Sequence, residues 1–193
     1  MTFIKTKEPG TVMRRKLARI HKEDIGAHEA LMRKYPAIFR QRTLGPGESC
    51  MSWGLDCGKG WLKLIDELCD SLQFMASINL YPRVEATQVK EKLGRLCFYY
   101  RILDDPTEPK DRTKLGRSYE YECGYIAGLI AAAEHRSHEI CEDCGKPGVL
   151  SVTATGWRRT VCPRHAKAKG YKPLKPYDWR RMLNRKEGKD AKV

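Results

Sequence analysis

Four residues in the last third of the chain constrain its fold more than any others. Cys141 and Cys144 stand two residues apart and are answered, after a seventeen-residue span, by Cys162 and His165 at the same interval. A two-residue interval lets one tight turn aim both side chains at a single point, and its repetition completes a Cys3His tetrahedron, the closed ligand set that structural zinc prefers. Gly145 follows the first pair, as a knuckle needs where backbone amides point at thiolates. The span predicts one hairpin. Val149, Leu150, Val152 and Thr153 favour a strand, Ala154-Thr155-Gly156 a turn, and Trp157 to Val161 a return strand. His135 and His138 are alternatives to His165, less well placed because they fall on a helix. A redox CxxC would accompany a βαβ pattern, and none is evident. Closed coordination leaves no position for substrate, so the expected cofactor is structural Zn2+, whose binding energy of roughly 10 kcal/mol or more would be folding energy.

The other five cysteines, Cys50, Cys57, Cys69, Cys97 and Cys123, are odd in number and irregularly spaced. Without an N-terminal apolar run or a long apolar stretch, they read as reduced thiols in a cytoplasmic protein with no membrane span. Cys50 precedes, and Cys57 lies within, a Gly54 to Gly60 segment whose spacing does not fit a phosphate-binding loop. A glycine-permitted turn packed under Trp53 and Trp61 explains it better.

Charge decides more by its placement than by its size. The net +13 divides into +10 over residues 157–193 and +6 over residues 1–22, leaving −3 for the rest. A mildly acidic body between two basic ends is the electrostatic pattern of a nucleic-acid partner, and also that of solvated tails. Four regions follow: a basic arm over 1–22, a core over 23–139, a zinc-ribbon-like module over 140–166 and a basic tail over 167–193. In the arm, Arg14, Arg15, Lys16, Arg19 and Lys22 beside Val12, Leu17 and Ile20 suit a short amphipathic helix or a segment ordered by a partner. In the tail, Asp178 can cap a short helix in which Trp179, Met182 and Leu183 share a face.

The core reads as α+β. A helix from Glu23 is interrupted near Pro36. Trp61, Leu64, Ile65, Leu68, Leu72 and Met75 form one apolar stripe on a helix to about Ile78. A short strand around Arg83 to Ala86, a helical turn from Gln88 to Leu93 and a strand from Leu96 to Leu103 come next. Aromatic residues of that last strand beside Lys90, Lys92, Arg95 and Arg101 can stack bases, although core packing accounts for them with fewer assumptions. Ser118 caps a helix to about His138 whose centre, Cys123 to Ala133, is small or apolar and reads as buried, with Gly124 and Gly128 admitting a close neighbour. The expected architecture is a small helix-rich α+β core with a short sheet, then a zinc-ribbon-like β-hairpin and a basic C-terminal tail.

Taken together, Cys50-Met51-x-Trp53-Gly54, Cys57-Gly58-x-Gly60-Trp61, Gln88-Val89-Lys90-Glu91-Lys92-x-Gly94 with Phe98-Tyr99, and Cys141-x2-Cys144-Gly145 resemble an uncharacterised family of small proteins encoded by tailed bacteriophages and prophages. The resemblance covers about residues 36–165 and implies a bacterial host cytoplasm during phage growth, without an activity to carry over. The expected function is nucleic-acid binding through Arg158, Arg159, Lys167, Lys169, Arg180 and Arg181. The alternative is an inhibitor or modulator, of the anti-defence type, that binds a host protein. No Ser/His/Asp set, open metal position or phosphate loop points to an enzyme.

Overall fold

The computed structural model describes residues 22–79, 81–103 and 118–174. The arm to residue 21 and the tail from 175, with Arg180, Arg181 and the expected tail helix, lie outside the described residues. The fold is α+β. In chain order it runs α1 (Lys22–Lys34), α2 (Leu62–Ser77), β1 (Val84–Lys92), β2 (Arg95–Ile102), α3 (Tyr119–Arg136), β3 (Val149–Val152), β4 (Arg158–Val161), α4 (Pro163–Lys169) and β5 (Lys172–Pro173). Single 3-10 turns interrupt the connection from α1 to α2. None of the described helices is long and apolar enough to cross a membrane.

The stripe expected on α2 goes inward: Leu64, Ile65, Leu68 and Leu72 are buried, with Trp61 fully so just before the helix. They meet Met32 and Tyr35 at the end of α1, Phe39 and Met51 from the connection, Val89, Leu96 and Phe98 from the sheet, and Ile126 and Ile130 from α3 in one apolar cluster. Each such side chain contributes about 1.5–3 kcal/mol when fully buried. Tyr35 carries its hydroxyl to the edge of this core, donating to Asp66 at 2.7 Å.

The helical turn expected over Gln88 to Leu93 is instead strand. β1 continues to Lys92 and pairs antiparallel with β2, from Val84 opposite Ile102 to Lys92 opposite Arg95. Two features conceal this in the sequence. A bulge between Ala86 and Gln88 breaks the period of two. The connecting turn, Leu93-Gly94, has φ of 54° and 88°, the geometry of a two-residue type I′ hairpin. That turn normally announces itself with Asn-Gly or Asp-Gly, and here Leu occupies the first position.

Both edges of the hairpin are covered. Asp56 N–H donates to Val89 O and Glu91 N–H to Asp56 O, each at 2.9 Å, along β1, while Ala86 N–H reaches Ile38 O at 2.8 Å. Along β2, Leu96 N–H donates to Ser137 Oγ at 2.9 Å and Phe98 N–H to Glu134 Oε1 at 2.8 Å, so the end of α3 satisfies backbone groups that a third strand would otherwise take. At the far end of the sheet the fully buried Glu85 accepts from Arg40 and Arg101. Burial opposes its ionisation, and the two guanidiniums more than offset this, holding its carboxyl below the usual range.

α3 begins where Ser118 predicts, its hydroxyl accepting from Tyr121 N–H at 3.2 Å. It is not buried all round. Ile126, Ile130 and Ala133 face the core, while Gly124, Ala127, Gly128, Ala131 and Ala132 are exposed and, among the described residues, no neighbour approaches either glycine. Small residues carry too little surface to mark a face, so the apolar run reads as buried when half of it is not.

The turn at Leu93 yields the first test. Leu93 is exposed, and a left-handed conformation costs a non-glycine residue about 1–2 kcal/mol, less for Asn. Leu93→Asn should raise stability by about 1 kcal/mol in urea unfolding with an unchanged slope. Destabilisation would show that the side chain, not the turn, governs this position.

Candidate metal centre

Cys141, Cys144, Cys162 and His165 converge. Their ligand atoms all lie within 4.8 Å of one another. Cys144 Sγ and Cys162 Sγ are 3.8 Å apart, and His165 Nδ1 lies 3.4 Å from Cys141 Sγ and 3.3 Å from Cys162 Sγ. Tetrahedral bonds of about 2.3 Å to sulfur and about 2.0–2.1 Å to nitrogen put ligand atoms about 3.8 Å apart for two sulfurs and about 3.6 Å for sulfur and nitrogen. The set can therefore hold one metal ion through three thiolates and one imidazole. His135 and His138 pair edge to face with each other and take no part in the cluster.

Each ligand is positioned by local chain geometry. Cys141 to Gly145 forms the knuckle: Cys144 N–H and Gly145 N–H both turn back to Cys141 O, at 3.3 and 2.8 Å, and Gly145 closes the turn with φ of 75°. Cys162 is the N-cap of α4, with Pro163 as first helical residue, and the helix brings His165 onto the same point one turn later. The amides of His165 and Arg164 point at Cys162 and lower its thiol pKa. Burial pushes the Cys141 thiol up to about 11, against amides of Cys162, Cys144 and Asp143 that favour its thiolate. Between the ligand pairs, β3 and β4 form the expected hairpin, from Val149 opposite Val161 to Val152 opposite Arg158. β5 adds a third strand on the other side of β3, so this small sheet takes in residues beyond 166.

The centre does not stand apart from the core. Gly60 N–H donates to Glu142 O at 2.8 Å, Gly58 N–H to Glu142 Oε1 at 3.0 Å, and the Trp61 indole N–H to Ile140 O at 2.8 Å. The fit is close enough that a Cβ on Gly60 would overlap Cys141 O and crowd the amides of Cys144 and Gly145. A second contact joins the hairpins, where Thr160 Oγ1 donates to Gly94 O at 2.6 Å. The Gly58-Lys59-Gly60-Trp61 segment is thus the seat of the knuckle, a role that sequence reading did not assign. Its only advance signal was two glycines bracketing one residue just before a tryptophan. Cys50 is exposed and Cys57 buried, and neither joins the cluster. Burial, with the Glu142 carboxylate nearby, pushes the Cys57 thiol well above its ordinary value.

The basic residues expected at an interface divide. Arg158 and Lys167 are exposed. Arg159 is turned inward, 2.6 Å from Glu142 and 3.2 Å from Asp143, and clamps the knuckle to β4. Lys169 reaches Asp143 at 2.8 Å. Burial opposes ionisation of Asp143, and Lys169 and Arg159 more than offset it, keeping its carboxyl below the usual range.

Searches of protein-family models, curated proteins and solved structures find no match to this chain.

Two substitutions test the site. Cys144→Ser should take the purified protein well below a full equivalent of metal by elemental analysis, and a full equivalent retained would remove Cys144 from the ligand set. Gly60→Ala should cost about 1–3 kcal/mol in urea unfolding because the seat has no room for a methyl group, whereas Lys59→Ala, at an exposed position, should be near neutral.

Proposed function

We propose that this protein is a zinc-stabilised nucleic-acid-binding protein, an accessory protein of a bacteriophage acting in the host cytoplasm. Zinc is the metal that a closed Cys3His tetrahedron suits, and such a site is structural, with no open position at which to activate water or substrate. The protein is accordingly read as a binding protein rather than an enzyme.

The observation that carries the reading is the charge balance around the centre. Residues 140–174 contain two acids, Glu142 and Asp143, and both are held by Arg159 and Lys169. Lys146, Arg158, Arg164, Lys167 and Lys172 are exposed and without an ion-pair partner among the described residues. Three thiolates around Zn2+ contribute a net charge of about −1, so the module stays strongly positive. The tail beyond it is basic as well. Exposed cations of this density are the electrostatic requirement for phosphate contact. Arg159, already compensated inside the molecule, has a structural part in this reading, and Arg158 and Lys167 contact phosphate together with Arg180 and Arg181 of the tail.

The test is binding of labelled DNA and RNA across a salt series. Affinity should fall steeply with salt. Removing residues 175–193 should weaken binding and flatten the slope, and Arg158→Ala should reduce the slope by about one unit. Arg159→Ala should instead lower stability by about 3 kcal/mol, because it strands the buried Glu142 carboxylate. Absence of binding at low salt would contradict the reading and leave the basic surface to an acidic protein partner.

A further inference from the structure

The β1–β2 hairpin exposes part of its second face, at Tyr99, Lys92 and Arg95, while Cys97 and Glu85 on the same face are buried. Residues directly opposite in an antiparallel pair share a face. Gln88 opposite Tyr99, Lys90 opposite Cys97 and Lys92 opposite Arg95 therefore lie on one side, and Val89, Leu96 and Phe98 on the other, in the core. On the outward side Tyr99 is 42% exposed, and the Lys90 ammonium stands 5.3 Å from the centre of its ring. Lys92 and Arg95 are exposed, and neither they nor Lys90 has an ion-pair partner among the described residues. The acids on this side are Asp56, whose backbone forms a β-bridge with that of Lys90, and Glu85, which is buried and held by Arg40 and Arg101.

This face is fixed against the zinc hairpin. Thr160 Oγ1 grips Gly94 O, and Gly94 packs so tightly on Leu150 and Arg159 that a Cβ would overlap Leu150. Lys92 and Arg95, either side of the Leu93-Gly94 turn, are held next to the strand that carries Arg158. The cations on either side of this turn thus lie beside the strand that carries Arg158, and β2 bears the exposed Tyr99 ring.

We infer that this sheet face is a platform for single-stranded nucleic acid, with Tyr99 stacking on a base and Lys92 and Arg95 on the flanking phosphates. The inference rests on the nucleic-acid reading above and adds to it the form of the ligand. An aromatic ring exposed on a sheet can stack only on a base whose face is free, as in a single strand and not within a duplex. Stacking and phosphate contact read neither base edges nor the sugar hydroxyl, so DNA and RNA strands both fit.

The experiment compares full-length, metal-loaded protein on a labelled oligo-dT, an oligo-rU and a duplex of equal length at low salt. The wild type should prefer both single strands over the duplex. Tyr99→Ala should weaken single-strand binding about fivefold to hundredfold while leaving duplex binding unchanged, and Tyr99→Phe should restore it. Tyr99 is exposed, and unchanged thermal unfolding confirms that the variant is folded. If Tyr99→Ala binds single strands as the wild type does while Arg158→Ala weakens both forms, the platform is overturned and the nucleic-acid reading stands. If no nucleic acid binds the wild type, both fall together.

Discussion

The seat that Gly58 to Trp61 offers to the Cys141 knuckle is the contact on which the rest of the structure depends. Three hydrogen bonds cross it, from Gly58 N–H, Gly60 N–H and the Trp61 indole, and all three end on Glu142 of the knuckle or on Ile140 just before it. Trp61 is also a fully buried member of the core cluster. One side chain therefore belongs to the main core and to the support of the metal ligands at once. A metal bound at the cluster, whose affinity would become folding energy, would thus act on α2 and the sheet through this seat.

Electrostatics reinforce the same junction. Glu142 accepts from Gly58 of the core and from Arg159 of β4, and Asp143 holds Arg159 and Lys169. These pairs are partly buried, and each carboxylate meets a cation or a backbone donor. Their consequence for function is indirect. With both acids paired locally, Lys146, Arg158, Arg164, Lys167 and Lys172 remain exposed, and the grip of Thr160 on Gly94 sets the turn between Lys92 and Arg95 against β4.

Much of this was legible in the sequence. The double interval of Cys141, Cys144, Cys162 and His165 pointed to the cluster that the fold brings together, because a two-residue interval lets one turn aim both side chains at a single point. The stripe on α2 was visible through its local periodicity, and the cap at Ser118 through the side-chain hydroxyl that the first turn of α3 needs. β1 was hidden by its own chemistry. Gln88, Lys90, Glu91 and Lys92 are polar on both faces, a bulge shifts the alternation, and Leu93 occupies a turn position usually signalled by Asn. The seat at Gly60 was hidden for a different reason: its glycine is required by a close approach from a segment eighty residues away, which no local pattern records. The inward turn of Arg159 depends in the same way on where Glu142 and Asp143 end up.

Hydrogen exchange before and after metal removal by a strong chelator tests the central claim most directly. If the metal centre clamps the knuckle onto the Gly58–Trp61 seat, the amides of Gly58, Gly60, Cys141, Glu142 and Gly145 will lose protection together on chelation, while those in the middle of α2 keep theirs. Unchanged protection at Gly58 and Gly60 after the metal has left would contradict it, because the seat would then hold without the centre it is said to serve.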